Sequence, residues 1–292
     1  MKASVEHIRE KFAFTERRAC CLLLVPVSSY RYKPRQHDDG LRERLVALAR
    51  EKPRFGYRRL HVLLERDGEV VNHKRVHRIY CEAGLALRRK KRKHCVRVSS
   101  PLGVYTAANQ EWALDFVHDV VASGRSIRVL NVVDAYTRES LAIEVDTSFA
   151  GLRVTRVLDE IIAERGLPQA IRRDNGPELT SRHFLAWALD HKIDLAHIQP
   201  GKPTQNAYVE SFNSKLREEC LRISWFQNLF EARRIISNWR RDYNECRPHS
   251  SLNYLTPAEF AAKNSRGKDA DSVSLKNDTT VFHFPTATAA AS

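Results

Sequence analysis

The chain has 292 residues, of which 42% are hydrophobic, and it carries a formal net charge of +14. This length and composition exclude a disordered polymer and permit one full-sized domain together with a smaller one. The apolar run at Cys20–Val27 is much shorter than the ~20 residues of a membrane-spanning helix, so no membrane role is predicted. The cysteines lack paired CxxC spacing and no signal peptide is apparent, which predicts a reducing cytoplasm.

The positive charge is concentrated in the first part of the chain. Residues 1–100 contain 26 Lys and Arg against 11 Asp and Glu, whereas residues 101–292 contain 23 against 24. Basic side chains that neutralise phosphates release counterions, which gives affinity for nucleic acid. The first hundred residues are therefore predicted to bind a polyanion, although a basic surface that only aids solubility has the same composition.

Three short amphipathic helices are predicted in this basic part. Leucines at helical spacing indicate helices over residues 41–51 and within 56–68, and Asn72 is a suitable cap for a third helix that ends at Gly84. Two helices with a tight turn and a basic outer face are typical of a helix-turn-helix DNA-binding region. A plain helical hairpin with a basic face is the alternative. The predicted DNA contacts on the third helix are Lys74, Arg75 and Arg78.

Six consecutive basic residues follow at positions 88–93. Such a block repels itself, so it is predicted to belong to a linker that becomes ordered on nucleic acid, or else to a solvated spacer. The predicted DNA contacts in it are Arg88, Arg89, Lys90 and Lys91. The predicted domains are a helical region over residues 1–87, the linker over 88–104, a folded core over 105–263 and a flexible tail over 264–292.

From Glu111 the periodicity changes to that of strands. Three β-rich runs separated by short turns predict an antiparallel meander, at residues 111–120, 126–135 and 140–148. Helical and strand patterns then alternate, at residues 151–165, 170–173, 180–192, 194–199 and from about residue 203. This order predicts an α/β fold with a mixed five-stranded sheet flanked by helices. A further helix over residues 229–245 is predicted to bury Phe230, Ile235, Ile236 and Trp239.

Three acidic residues are candidates for chemistry. Asp115 interrupts the apolar strand "WALDFVHD", where an unpaired ionised carboxylate costs several kcal/mol. Asp174 follows a second strand and precedes the pair Asn175-Gly176, so a simple turn role would also explain it. Glu210 lies on the polar face of a late helix. Two other acids are weaker candidates because a turn or an ion pair explains each, namely Asp119 and Asp134.

Three carboxylates in one cleft would repel one another unless a divalent cation neutralised them. Ligation by oxygen alone suits Mg²⁺ or Mn²⁺. Two such ions about 4 Å apart can activate an attacking hydroxyl and stabilise the leaving oxygen of a phosphodiester. The three acids therefore predict metal-dependent phosphoryl transfer without a nucleophilic side chain.

The order and spacing of these motifs resemble the integrase-core transposases of the insertion-sequence-three family, specifically their catalytic reading-frame product. Between Asp115 and Asp174 lie 58 residues, and between Asp174 and Glu210 lie 35. The motifs are "WALDFVHD", "IRRDNGPELT" and "IQPGKPTQNAYVESFN", and the resemblance extends over residues 15–263. Retroviral integrases are more distant relatives in this comparison.

The resemblance implies a ribonuclease-H-like core that cleaves and transfers the DNA strands of an insertion sequence. In that core Asp115, Asp174 and Glu210 would bind two Mg²⁺ ions, with Mn²⁺ able to substitute. The resemblance also implies DNA contacts, with Lys202 in the "PGKPTQNAY" loop as the first candidate, and Asn206 and Lys215 on or beside the Glu210 face as weaker candidates. Leu179 stands where the family usually has an aromatic residue, a conservative change. The zinc module of retroviral integrases, with two histidines and two cysteines, is not found in the sequence.

The resemblance further implies partners. These are double-stranded DNA at the element ends and target, other copies of the chain on DNA, and an upstream helix-turn-helix and leucine-zipper subunit, joined by frameshift fusion or acting separately. A cytoplasmic, nucleoid-associated protein of a bacterium is expected. Two other functions remain open from the residues: a catalytically silent DNA-binding regulator or accessory subunit, and a nuclease on RNA–DNA hybrids. A regulator would have no need of three converging carboxylates.

Overall fold

The computed structural model describes residues 2–32, 38–87, 105–174, 176–197 and 207–264. The helical region contains α1 (Lys2–Phe12), α2 (Glu16–Leu22), α3 (Val27–Arg31), α4 (Asp39–Glu51), α5 (Tyr57–Arg66) and α6 (His73–Glu82). The core contains β1 (Glu111–Val120), β2 (Ser126–Asp134), β3 (Ser140–Asp146), α7 (Gly151–Arg165), β4 (Ala170–Arg173), α8 (Arg182–Asp190), β5 (Asp194–His197), α9 (Ala207–Glu219), α10 (Leu229–Glu245) and α11 (257–264). None of these helices is both long and apolar enough to cross a bilayer.

The helical region has two small cores. Helices α4, α5 and α6 bury apolar side chains at helical spacing, among them Leu45, Leu60 and Val76. The side chain of Asn72 accepts the Lys74 N–H at 2.8 Å, so the predicted cap of α6 is confirmed. Helices α1 to α3 pack separately and were not predicted from the sequence. The predicted linker over residues 88–104 lies outside the described residues.

The core sheet has the strand order β3-β2-β1-β4-β5. Strands β1, β2 and β3 are antiparallel neighbours, and β4 and β5 add to the β1 edge in parallel. The predicted meander and the mixed five-stranded sheet are therefore confirmed. The parallel pairs follow from the helical crossovers, since a parallel neighbour requires a long connection and an antiparallel one needs only a turn.

Alternation along β1 divides the core into two layers. The even-numbered side chains pack with α7 and α8, as Trp112, Leu114 and Phe116 show. The odd-numbered side chains Ala113 and Val117 pack with α9 and α10. Both sheet faces are thus covered, and a polar residue at an odd position of β1 must face α9 or α10.

Helix α10 has the predicted bounds but not all of the predicted buried face. Ala232, Ile236 and Trp239 are buried and Ile235 is partly buried, whereas Phe230 is 77% exposed. The prediction for Phe230 was wrong because position 230 is two residues before Ala232, which turns it about 200° around the helix from the buried stripe.

The helical region lies against the core through ion pairs. Lys52 pairs with Asp242 on α10, and the Arg66 guanidinium lies 2.7 Å from the Glu259 carboxylate on α11. Phe55, which precedes α5, is only 5% exposed. Cations of the helical region therefore meet carboxylates of the core.

Candidate active site

Asp115 lies on β1, and Asp174 directly follows the neighbouring parallel strand β4. In the β1–β4 register Ala113 is opposite Arg172. The same register continued by two residues places Asp115 opposite Asp174, which directly follows the last residue of β4. Parallel neighbours are about 4.8 Å apart and opposed residues share a sheet face. Since Val117 alternates in phase with Asp115 and packs with α9, both aspartates are on the α9 side of the sheet.

A chain of buried amides holds the Asp115 carboxylate. Asn213 on α9 donates from Nδ2 to Asp115 Oδ2 at 2.6 Å. Asn131, opposite Asp115 on β2, donates from Nδ2 to Asn213 Oδ1 at 2.6 Å. The second oxygen of Asp115 accepts the Phe116 N–H at 2.9 Å. Because Asn131 and Asn213 are fully enclosed, these contacts fix the orientation of the carboxylate.

The negative charge of Asp115 is costly in this position. Burial raises the pKa of Asp115 to about 6, and the nearby charge of Asp174 adds to the increase. The hydrogen bonds from Phe116 and Asn213 and the positive charge of Arg217 oppose this shift. A buried acid whose pKa is raised further by a second acid is typical of a functional site.

The turn after β4 supports Asp174. Its Oδ1 accepts the Gly176 N–H at 3.0 Å, the hydrogen bond expected of an Asp in a turn. A Cβ at Gly176 would lie 3.1 Å from Asp174 Oδ1 and 3.1 Å from Glu178 Oε2. A larger residue here would therefore press on two carboxylates. Asn175 lies outside the described residues. The turn interpretation and the site interpretation of Asp174 are compatible.

Glu178 ties this turn to the sheet, a contact that the sequence analysis missed. Its carboxylate pairs with Arg128 on β2, whose guanidinium lies 4.3 Å from the centre of the Phe116 ring. The hydrogen bond from Arg128 lowers the pKa of Glu178. Glu178 Oε2 is buried and has no hydrogen-bond partner in the part of the chain that the structure describes. The only available signal was its position four residues after Asp174.

Glu210 projects into solvent from the first turn of α9. It precedes Asn213 by three residues, so the two share one side of the helix. Across the described ranges, no group of three or more His, Cys, Asp or Glu side chains is arranged to hold a metal ion. The structure thus brings Asp115 and Asp174 together and leaves Glu210 one helical turn from the residue that contacts Asp115. We call this side of α9, with Asp115, Asp174 and Glu210, the carboxylate face.

The two weaker acidic candidates have local roles. Asp134 is 2% exposed, and its oxygens accept the N–H groups of Tyr136 and Thr137 at 2.8 Å and of Asn109 at 2.8 Å. Asp119 accepts the N–H of the residue that follows it, at 2.8 Å. These contacts explain both acids without the carboxylate face.

The basic candidates on α6 are partly occupied by acids. Lys74 is exposed. Arg75 and Arg78 both pair with Asp38, and Arg75 Nη2 lies 2.6 Å from Asp38 Oδ1. Arg78 also contacts Glu82 at 3.0 Å. The sequence pattern identified the outward face of α6, but it could not reveal Asp38 because the two arginines follow it by about forty residues.

Lys215 was expected from the sequence on or beside the Glu210 face, but it lies on another side of α9. Five residues separate the two, which turns Lys215 about 140° around α9 from Glu210. Its Nζ donates to the Ser211 carbonyl at 3.0 Å and to Ser211 Oγ at 2.6 Å. The other predicted DNA contacts lie outside the described residues, namely Arg88, Arg89, Lys90, Lys91, Lys202 and Asn206.

Comparison with known families covers most of the chain. The Integrase core domain family matches residues 105–203, and a second family of the same description matches residues 191–257. The HTH-like domain family matches residues 36–93, which include α4, α5 and α6. Among solved structures, the HTLV-2 integrase catalytic core domain in complex with magnesium (trimeric form) covers 53% of this chain and 97% of that chain, with a TM-score of 0.44 and 15% identity.

Relatives from insertion elements extend this finding. The uncharacterized 31.7 kDa protein of insertion element IS407 from Burkholderia multivorans (strain ATCC 17616 / 249) is 50% identical over 266 residues, covering 90% of this chain and 96% of that protein. The transposase InsD for insertion element IS2D from Escherichia coli (strain K12) is 28% identical over 228 residues, covering 72% and 74%. The chain belongs to the integrase-core transposases of insertion sequences, and the resemblance to the insertion-sequence-three family is confirmed.

Proposed function

We propose that this transposase cleaves DNA strands at the ends of its element and joins the freed 3′-hydroxyl to a target phosphodiester, with Asp115, Asp174 and Glu210 as its catalytic residues. The observation that carries the proposal is the β1–β4 register, which sets two carboxylates next to each other on the side of the sheet that α9 covers. The membership in a transposase family disfavours a catalytically silent regulator.

The donor set of the carboxylate face fits a divalent cation. Asp115 and Asp174 offer oxygen atoms only, the ligands that Mg²⁺ and Mn²⁺ prefer. The elevated pKa of Asp115, which burial and the charge of Asp174 produce, is the electrostatic condition that a cation relieves. Asp115, Asp174 and Glu210 would hold one or two Mg²⁺ ions, or Mn²⁺ in their place. When bound, such ions activate the attacking hydroxyl and stabilise the leaving oxygen.

The chain's own residues orient this donor set. The amides of Asn131 and Asn213 hold Asp115, and the Gly176 N–H holds Asp174. Side chains that are fixed before the reaction avoid the cost of ordering them in the transition state. Glu210 is on the first turn of α9, one helical turn before Asn213, whose amide contacts Asp115.

We assign DNA contact to the basic part of the chain. In this assignment the helical region (1–87) contacts duplex DNA through Lys74, Arg75 and Arg78, and the linker (88–104) adds phosphate contacts through Arg88, Arg89, Lys90 and Lys91. The core (105–263) carries the chemistry, with Lys202 and Asn206 as further contacts. The proposal also includes a tail over residues 264–292. Several copies would assemble on DNA, together with an upstream helix-turn-helix and leucine-zipper partner. The protein would act at the bacterial nucleoid in the cytoplasm.

The proposal is tested with Asp174→Asn, which removes one charge at nearly constant size. Purified protein with Mg²⁺ and duplex DNA carrying the flanking inverted ends is expected to cleave and transfer strands. The Asn variant is expected to lose at least about 10³-fold in rate, since several kcal/mol of charge stabilisation disappear, while its DNA affinity stays unchanged. Asp190→Asn, at an exposed position on α8, is the matched control. Full activity of Asp174→Asn would show that the assignment is wrong.

A further inference from the structure

Four cations converge on the opposite side of α9 from Glu210. Arg59 comes from α5, Arg138 from the β2–β3 turn, Lys215 from α9 itself and Arg247 from the segment after α10. Phe55 lies between two of them, with its ring centre 5.3 Å from the Arg59 guanidinium and 5.8 Å from that of Arg247. We call this group of four cations the basic cleft.

One carboxylate serves two of these cations. Arg247 is 1% exposed and binds Glu219 through two hydrogen bonds, with Nε–Oε2 at 2.7 Å and Nη2–Oε1 at 2.5 Å. Arg59 Nη1 lies 3.4 Å from Glu219 Oε1. These contacts join the helical region to the core, so a purely structural role accounts for Arg59, Arg247 and Glu219.

That structural role does not account for Arg138. Its backbone is in the left-handed region, at φ 64°, which is unusual for a residue other than glycine. Its guanidinium lies 3.6 Å from the centre of the Tyr208 ring. Its Nη1 is buried and lacks a hydrogen-bond acceptor among the described residues. A buried guanidinium nitrogen without an acceptor is costly, and an anionic oxygen or a water molecule would satisfy it.

Lys215 is the second cation, since its Nζ donates to the backbone carbonyl and the side chain of Ser211 and forms no ion pair with an acid among the residues that the structure describes. Burial, followed by the charges of Arg247, Arg59 and Arg138, lowers the pKa of Lys215 to about 8 against the opposing effect of Glu219. The same cations, together with burial, lower the pKa of His249 to about 2. The neighbouring histidine is therefore neutral, and the cleft holds more positive charge than Glu219 balances.

We propose that the basic cleft binds a phosphodiester of the DNA backbone, with Arg138 and Lys215 as its contacts. An Arg fork and a Lys ammonium are the usual phosphate ligands in proteins. Lys215 and Glu210 lie about 140° apart on a helix whose diameter with side chains is about 10–12 Å. The bound phosphate is therefore a different one from the phosphate that reacts at the carboxylate face. This inference rests on the proposed DNA-joining function.

The test compares Arg138→Asn and Lys215→Gln with wild-type protein in binding a duplex of about 30 base pairs across a range of salt concentrations. Asn suits the left-handed backbone of position 138, and Gln can still donate to Ser211. Each variant is expected to reduce the slope of log affinity against log salt by about 0.9, and to weaken binding about fivefold near 0.15 M salt. The control Arg234→Gln removes an exposed charge on α10 and is expected to change neither quantity to this extent.

Further measurements separate this inference from its alternatives. Lys215→Arg keeps the charge, so its slope of log affinity against log salt is expected to equal that of the wild type. Thermal melting checks that each variant folds. A variant that binds DNA as the wild type does but loses its cleavage rate at saturating DNA would contradict the assignment to a non-reacting phosphate. Unchanged salt slopes in both variants would overturn the inference while leaving the proposed chemistry intact. If inorganic phosphate binds the wild type as tightly as the duplex does, the assignment of DNA as the ligand of the basic cleft is wrong.

Discussion

The two sides of α9 concentrate opposite charges and hold them differently. On the carboxylate face, neutral amides hold Asp115. In the basic cleft, a buried carboxylate, Glu219, binds two arginines from two parts of the chain. Removing an amide breaks hydrogen bonds but no ion pair, whereas loss of the Glu219 carboxylate leaves the buried charge of Arg247 without its ionic partner. The comparison predicts that loss of the Glu219 ion pairs affects stability most, whereas changes on the carboxylate face affect the proposed chemistry most.

The largest stability effect is expected for Glu219→Gln. Arg247 is buried and would lose its ionic partner, so the free energy of unfolding is expected to fall by about 3 kcal/mol. Urea denaturation measures this change. The neighbouring Glu218→Gln is the matched control, because the Glu218 side chain is 41% exposed and its partners Arg222 and Arg54 are exposed as well. It is expected to cost less than about 1 kcal/mol. Equal effects of the two variants would refute the structural role of the basic cleft.

On the carboxylate face, Asn213→Ala is expected to reduce activity more than stability. Removing the amide that orients Asp115 is expected to lower the cleavage rate or raise the half-saturating Mg²⁺ concentration by about 10- to 100-fold. Cleavage assays over a Mg²⁺ titration measure this effect. Ser214→Ala, at the next and exposed position of α9, is the control. A variant with wild-type Mg²⁺ dependence would show that the amide chain does not orient the site.

The smallest effect is a pH dependence from His249. Its pKa falls from 6.5 to about 2 because of burial and the nearby cations, with Arg247 first among them. Between these pKa values the unfolded chain binds the proton and the folded chain does not. Stability from this group is therefore complete above pH 6.5 and is lost as the pH falls, by up to about 1.4 kcal/mol per pH unit. As the pH is lowered from 7 to 5, the free energy of unfolding of His249→Gln is expected to fall less steeply than that of the wild type. Parallel curves would contradict this account.

The sequence predicted features that depend on neighbouring residues. A β-rich run between short turns gave β1 its bounds, and Asn72 was recognised as the cap of α6 because capping is local. The mixed five-stranded sheet was predicted from the order of strands and helices. These features require only periodicity and turn chemistry.

Contacts between distant parts of the chain were not predictable in the same way. The pairing of Arg75 with Asp38 and of Arg128 with Glu178 depends on tertiary packing. Helical periodicity also gives a side chain's direction only relative to its own helix. The position of Lys215 shows the same limit, because its five-residue offset from Glu210 defines a direction but not the arginines that surround it.

The central claim is that Glu210 acts with Asp115 and Asp174, and the rate of Mg²⁺-dependent cleavage by Glu210→Gln tests it most directly. Duplex DNA carrying the element ends is the substrate, and Glu218→Gln on the same helix is the control. The account predicts that Glu210→Gln loses at least about 10³-fold in rate with unchanged DNA affinity, while Glu218→Gln stays within a few-fold of wild type. A Glu210→Gln variant that cleaves at the wild-type rate would contradict the account.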